Sequence, residues 1–144
     1  MAARVLVVDD ERQIRELLAD FLATEGYEVI LASNGEEAME LVKQEDAQVI
    51  LLDLKMPGIN GIEVCKRLRA NEKTGLIPVI MMTALSDCKT EAVEARVDDF
   101  VDKPFDLAEL LVRVESILRV GYLADPAERL AAYMEELESN LLKR

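Results

Sequence analysis

Short apolar runs alternate with amphipathic segments along the first 118 residues. The runs are Val5–Val8, Val29–Leu31, Val49–Leu52, Val79–Met82 and Phe100–Val101. They are rich in Val, Ile and Leu, and most lack strict apolar–polar alternation, the pattern of parallel strands covered on both faces. The segments between them carry helical spacing. Ile14, Leu17, Leu18, Phe21 and Leu22 form one helical stripe, and Gly26 follows where a C-terminal cap belongs. Asn34 with Glu37 predicts a capping box for a helix carrying Ala38, Leu41 and Val42. Ile62, Cys65 and Leu68 mark a third helix. The segment Asp87–Arg96 has Val93 as its main large apolar residue, which predicts a short, labile fourth helix. Asp106 with Glu109 opens a fifth, followed by Leu107, Leu110, Leu111, Val114, Ile117 and Leu118. Five strand–helix pairs with right-handed crossovers predict an α/β fold, a (βα)5 doubly wound open parallel sheet with helices on both faces.

Beyond Leu118 the pattern changes. Residues 1–118 are read as one domain and residues 119–144 as a C-terminal helical extension. Gly121 breaks the fifth helix. Asp125, Pro126 and Glu128 supply an N-cap, a first-turn proline and a first-turn acid. Leu123, Ala127, Leu130, Met134, Leu137 and Leu141 then follow at alternating spacings of four and three, a short heptad seam with weakly charged flanks that include Tyr133. Two readings stand side by side. The helix lies back on its own domain, or it is a connector or dimerisation helix that makes a homodimer.

Composition narrows the function. Acidic residues outnumber basic ones 29 to 17, giving a net charge of −12, and the chain has neither histidine nor tryptophan. Serine–histidine and cysteine–histidine catalysis are excluded, as are imidazole metal ligands and a phosphorylated histidine in cis. Such an acidic chain is a poor nonspecific binder of nucleic acid, so no direct nucleic-acid contact is expected. The two cysteines, Cys65 and Cys88, are too few for a structural zinc site or a disulfide scaffold, and a cytoplasmic location is expected. No apolar run approaches a membrane span or a signal-peptide core.

The strand ends carry the chemistry. In open α/β sheets, ligands bind beyond the carboxyl ends of the strands, at the point where strand order reverses. Here the first run ends in Asp9, Asp10 and Glu11, and the third in Asp53. The fourth ends in Thr83 and Ala84, and the fifth is followed by Lys103 and Pro104. Any one of these has an ordinary explanation, such as Asp10 capping a helix or Lys103 being a solvated charge. Their joint placement at one sheet edge is harder to explain that way. Clustered carboxylates repel by roughly 4 kcal/mol per pair at about 4 Å and an effective dielectric near 20. A hard divalent cation relieves this, and an all-oxygen donor set favours Mg2+. Lys103 supplies a point charge for a phosphoryl group, an Asp carboxylate is a competent nucleophile for phosphorus, and Thr83 offers a hydroxyl donor. Together these residues predict a magnesium-dependent aspartyl-phosphate site.

The combined motifs resemble the receiver domain of bacterial two-component response regulators. The matching stretches are Val5 through Glu11, Asp53-Leu54-Lys55-Met56-Pro57-Gly58 with Gly61, Thr83-Ala84, and Asp98-Asp99-Phe100 through Lys103-Pro104-Phe105. The resemblance implies a flavodoxin-like strand order of 2-1-3-4-5. It implies that Asp53 is the phosphoacceptor, and that Asp10, Asp53 and the backbone carbonyl of Lys55 bind Mg2+, with Asp9 acting through water. Lys103 would pair with the phosphoryl group, and its peptide bond to Pro104 would be cis. Thr83 and Phe100 would be the switch residues that change the surface of the fourth helix, fifth strand and fifth helix. The donor would be a phosphohistidine on a partner sensor histidine kinase, and the output an unidentified domain or target protein. The chain departs from the family between Thr83 and Lys103, which is a couple of residues shorter than usual, with Arg96 and Val97 where Gly-Ala is customary. Lys55 and Leu85, beside the site, are either tuners of phosphate lifetime or plain surface and packing residues. Two rival readings are a haloacid-dehalogenase-like phosphatase and a phosphorylation-independent receiver scaffold. The first wants an acid where Lys55 stands, and the second does not need the complete acidic set.

Overall fold

The computed structural model describes residues 2–83 and 89–142. Five parallel strands, β1 (Arg4–Val8), β2 (Glu28–Ala32), β3 (Val49–Asp53), β4 (Val79–Thr83) and β5 (Asp99–Asp102), form one sheet in the order β2-β1-β3-β4-β5. Helices α1 (Arg12–Thr24), α2 (Gly35–Gln44), α3 (Gly61–Ala70), α4 (Lys89–Glu94) and α5 (Leu107–Val120) connect and follow them, and α6 (Pro126–Leu142) is added at the end. This is the doubly wound fold that the apolar runs predict.

The sheet divides the core in two. Leu6, Val8, Ile50, Leu52, Val79 and Met81 face α2, α3 and α4, while Val5, Val7, Val49, Leu51, Ile80 and Met82 face α1, α5 and α6. Alternate residues of each inner strand are therefore buried on opposite faces, which is why these strands read as unbroken apolar runs. Local signals act as expected at several helix ends. Glu37 N–H donates to Asn34 Oδ1 at 2.8 Å, and Ser33 N–H donates to Glu37 Oε1 at 2.7 Å. Gly26 adopts φ +95° directly after α1, a left-handed cap conformation that glycine takes at no steric cost. Glu128 N–H donates to Asp125 Oδ2 at 3.0 Å at the start of α6. Glu109 is a difference: Asp106 caps α5 through Ala108 N–H, while Glu109 pairs with Arg113.

Two expectations change. Around α4, the small Ala92 and, just past the helix, Ala95 are buried, while Val93 is 63% exposed. The helix, six residues long, is short, as the sequence predicts. Asp87 and Cys88 at the start of that segment, and Ala84 and Leu85 before it, lie outside the described residues. In α6, Leu130, Met134 and Leu141 are exposed, and the face turned inward carries Arg129, Tyr133 and Leu137. The seam positions therefore do not form the buried stripe, apart from Leu137. The helix lies back on its own domain, as one of the two readings predicts.

Polar residues fasten it there. Arg129 donates to Asp98 Oδ1 at 2.8 Å and to the Leu76 carbonyl at 2.6 Å. Asp98 also accepts from Arg69 at 2.9 Å and from the Val79 amide at 2.8 Å. The Tyr133 hydroxyl donates to Asp99, which also pairs with Arg113. Asn140 donates to Ser116 at 2.9 Å on α5. Burial, and then the charge of Asp99, push the Tyr133 phenol well above its usual range, so the hydroxyl stays protonated as a donor.

Candidate functional site: an acidic pocket at the sheet edge

Parallel register puts the chemistry-bearing residues on one edge. Val8 pairs with Leu52, Asp53 with Met82, and Thr83 with Asp102. Asp9 directly follows β1, Asp53 and Thr83 end β3 and β4, and Lys103 directly follows β5. Strand order reverses between β1 and β3, so Asp9 and Asp53 flank the switch point.

Carboxylate oxygens of Asp9, Asp10 and Asp53 lie within 4.8 Å of one another. Asp9 and Asp53 are buried and Asp10 is exposed. The Lys103 Nζ lies 2.7 Å from Asp9 Oδ2 and 3.4 Å from Asp53 Oδ1, so one ammonium bridges two buried carboxylates. The peptide bond from Lys103 to Pro104 is cis, as the resemblance implies, and the Lys103 amide donates to the Thr83 carbonyl at 2.7 Å. Thr83 is buried and Phe100 half-buried.

Among the described residues, three acids meet the Lys103 ammonium, and the electrostatics follow from that. Burial, and then the charge of Asp9, raise the Asp53 carboxyl to about 7, with Lys103 pulling the other way. For Lys103, burial alone would lower the amine, but its hydrogen bond to Asp9 and the charges of Asp53 and Asp9 outweigh this and raise it. Lys103 therefore stays an ammonium, and among the described residues the pocket's carboxylates outnumber its cations. Its donors are all hard oxygens, so the residues present fit a hard divalent cation such as Mg2+. Lys55 lies in the loop directly after β3, with its side chain exposed.

Arg15 was not singled out from sequence. Arg15 on α1 donates to the Asp9 carbonyl at 2.8 Å, and the Glu11 amide donates to Asp9 Oδ1 at 2.9 Å. They hold Asp9 in place from its backbone and its side chain. No local motif marks Arg15, because its partner is a carbonyl that any residue could supply. Gly61 also gains a structural reason. A Cβ there would sit 2.5 Å from the Asp53 carbonyl, and the Gly61 amide donates to Leu54 at 2.9 Å. The start of α3 thus presses on the backbone of Asp53 where only glycine fits.

A family model described as "Response regulator receiver domain" matches residues 5–115. The chain belongs to this family. The receiver domain is 43% identical over 118 residues to "Probable transcriptional regulator ycf27" of Porphyridium aerugineum, a match covering 81% of this chain and 48% of that protein. It is 37% identical over 139 residues to "Response regulator MprA" of Mycobacterium bovis, covering 95% of this chain and 60% of that protein. The chain thus spans 48% to 60% of the length of these curated relatives. Among solved structures, response regulator TrrA of Thermotoga maritima, in complex with Mg(2+)-BeF, matches with a TM-score of 0.72 and 40% identity, covering 78% of this chain and 96% of that one. Receiver domains are phospho-signalling switches of two-component systems that partner with histidine kinases, and they are not enzymes in the ordinary sense. Among the described residues, no helix is long and apolar enough to cross a membrane.

Proposed function

We propose that this receiver domain accepts a phosphoryl group on Asp53 from a phosphohistidine of a sensor histidine kinase. The observation that carries the reading is the single ammonium of Lys103 bridging Asp9 and Asp53 at the switch point, with Asp10 beside them. An Asp53 carboxylate oxygen forms the bond to phosphorus as the phosphorus–nitrogen bond of the donor breaks. The donor imidazole leaves, and the Lys103 ammonium balances charge on the phosphoryl oxygens. Asp10, Asp53 and the Lys55 backbone carbonyl would hold Mg2+, with Asp9 acting through water. The cation supplies charge neutralisation for the phosphoryl oxygens. The TrrA complex with Mg(2+)-BeF supports this assignment by likeness.

The response runs through Thr83 and Phe100. The Thr83 hydroxyl donates to a phosphoryl oxygen, Phe100 turns inward, and the surface of α4, β5 and α5 changes. A local charge event thereby biases a two-state element. Because α6 is tied to Asp98 and Asp99 at the start of β5, it lies where such a change would reach it. The consumer is a target protein or output domain, and the setting is cytoplasmic.

Incubation with Mg2+ and acetyl phosphate, read by intact mass, tests the reading. One phosphoryl group is expected, lost in Asp53→Asn and lost when the cation is chelated. A chain that gains none with any small phosphodonor or kinase contradicts it.

A further inference from the structure

Asp9 is fully buried, and each of its polar groups meets a partner. Its amide donates to the Ala32 carbonyl at 3.1 Å, which ties it to the end of the neighbouring strand. Its Oδ1 accepts from the Glu11 amide at 2.9 Å, and its Oδ2 pairs with Lys103 at 2.7 Å. Its carbonyl accepts from Arg15 Nη1 at 2.8 Å. That last partner is a half-buried side chain from the first turn of α1, six residues further along the chain.

The Asp9 carbonyl belongs to the peptide unit that joins Asp9 to Asp10. A peptide unit is planar, so this carbonyl and the Asp10 amide turn as one piece. The Arg15 bond therefore fixes the direction in which the backbone enters Asp10, and with it the direction in which the Asp10 side chain leaves. A hydrogen bond from a guanidinium is short and directional, which suits it to this task. Helix capping does not do the same work: Glu11, the N-cap of α1, makes no side-chain capping bond. Asp10 is exposed, yet its carboxylate lies within 4.8 Å of those of Asp9 and Asp53.

We propose that Arg15 is a positioning residue for the divalent cation: by holding the Asp9–Asp10 peptide it keeps the Asp10 carboxylate turned to the pocket. The inference rests on the reading of Asp9, Asp10 and Asp53 as the cation site. Two effects of the guanidinium oppose each other. As a positive charge beside an acidic pocket, it disfavours a second cation. As a hydrogen-bond donor, it presets the arrangement of the carboxylates, as partners one step removed from a metal generally do. Removing the side chain separates the two effects by sign. A bystander charge predicts tighter Mg2+ binding once it is gone, and a positioning role predicts weaker binding.

Isothermal titration calorimetry of Mg2+ into the native chain, Arg15→Ala, Arg15→Lys and Arg12→Ala tests this. Arg12 begins the same helix and pairs with Glu16 at 2.8 Å, so its loss controls for charge alone. Arg15→Ala should bind Mg2+ about tenfold more weakly than the native chain. Arg15→Lys keeps a donor and the charge and should fall between the two, while Arg12→Ala should bind at least as tightly as the native chain. Phosphorylation by acetyl phosphate should follow the same order at limiting Mg2+, and Arg15→Ala should recover at saturating Mg2+, a pattern that general damage to the fold would not give. Unchanged or tighter Mg2+ binding in Arg15→Ala overturns the proposal, as does a lysine variant no better than alanine. A native chain that binds no Mg2+ overturns the pocket reading and the proposal with it, and the native titration reports that outcome separately.

Discussion

Asp53 has two opposing requirements. It must be ionised to attack phosphorus, yet burial and the neighbouring Asp9 raise its carboxyl to about 7. Its ordinary value is 3.8, so between roughly pH 4 and pH 7 the folded chain binds a proton that the unfolded chain has released. Stability therefore falls as pH rises through that window, the reverse of a salt-bridged carboxylate. Urea midpoints without divalent cations are expected to drop between pH 5 and pH 8, and the drop should shrink in Asp53→Asn, which is neutral throughout. Equal slopes in the two proteins would show that the penalty resides elsewhere. The residue types of this site were legible in sequence because each ends or follows a strand. Arg15 was not, since its hydrogen bond to the Asp9 carbonyl leaves no trace in side-chain chemistry.

Helix α3 sets the backbone of Asp53 by close approach, and Gly61 makes this possible. Gly61→Ala should cost about 1–3 kcal/mol in stability, as overpacking does. It should also slow phosphorylation by acetyl phosphate, because α3 can move away only by shifting Asp53. Unchanged stability and rate would mean that the junction relaxes freely. On the opposite side of the sheet, α6 depends on long-range polar contacts. Arg129 and Tyr133 meet Asp98 and Asp99, which lie 31 and 34 residues earlier in the chain. Arg129→Ala should cost about 2–3 kcal/mol, since Asp98 keeps Arg69 but the Leu76 carbonyl loses its donor. Hydrogen exchange should then speed up first in α6, whereas uniform loss across the fold would argue against a local anchor. These contacts explain why the strands were readable and the pose of α6 was not. Continuous Val, Ile and Leu runs report a sheet covered on both faces. The buried face of α6 is an arginine, a tyrosine and one leucine, and hydrophobic periodicity counts only the last.

At the scale of the whole molecule, the acidic balance has a local meaning. Part of the −12 charge sits at one sheet edge, where, among the described residues, three carboxylates meet the Lys103 ammonium. A cation that binds only the folded pocket stabilises the fold by mass action, by about 2.7 kcal/mol at 100 times its dissociation constant. Mg2+ should therefore raise the Tm by several degrees, and Asp10→Asn should reduce the shift. An equal shift in that variant would place the cation elsewhere on the acidic surface. The same edge lies across the fold from the Asp98 and Asp99 anchors, at opposite ends of β5, so one strand connects the pocket to α6.

The central claim is that one carboxylate, Asp53, receives the phosphoryl group. Acyl phosphates are reduced by borohydride, which converts a phosphorylated aspartate into homoserine. After reaction with acetyl phosphate and Mg2+, borohydride reduction and peptide mass mapping should find homoserine at position 53, with Asp9 and Asp10 intact. Homoserine at position 9 or 10, or its absence from a chain that carries the phosphoryl group, would contradict the account.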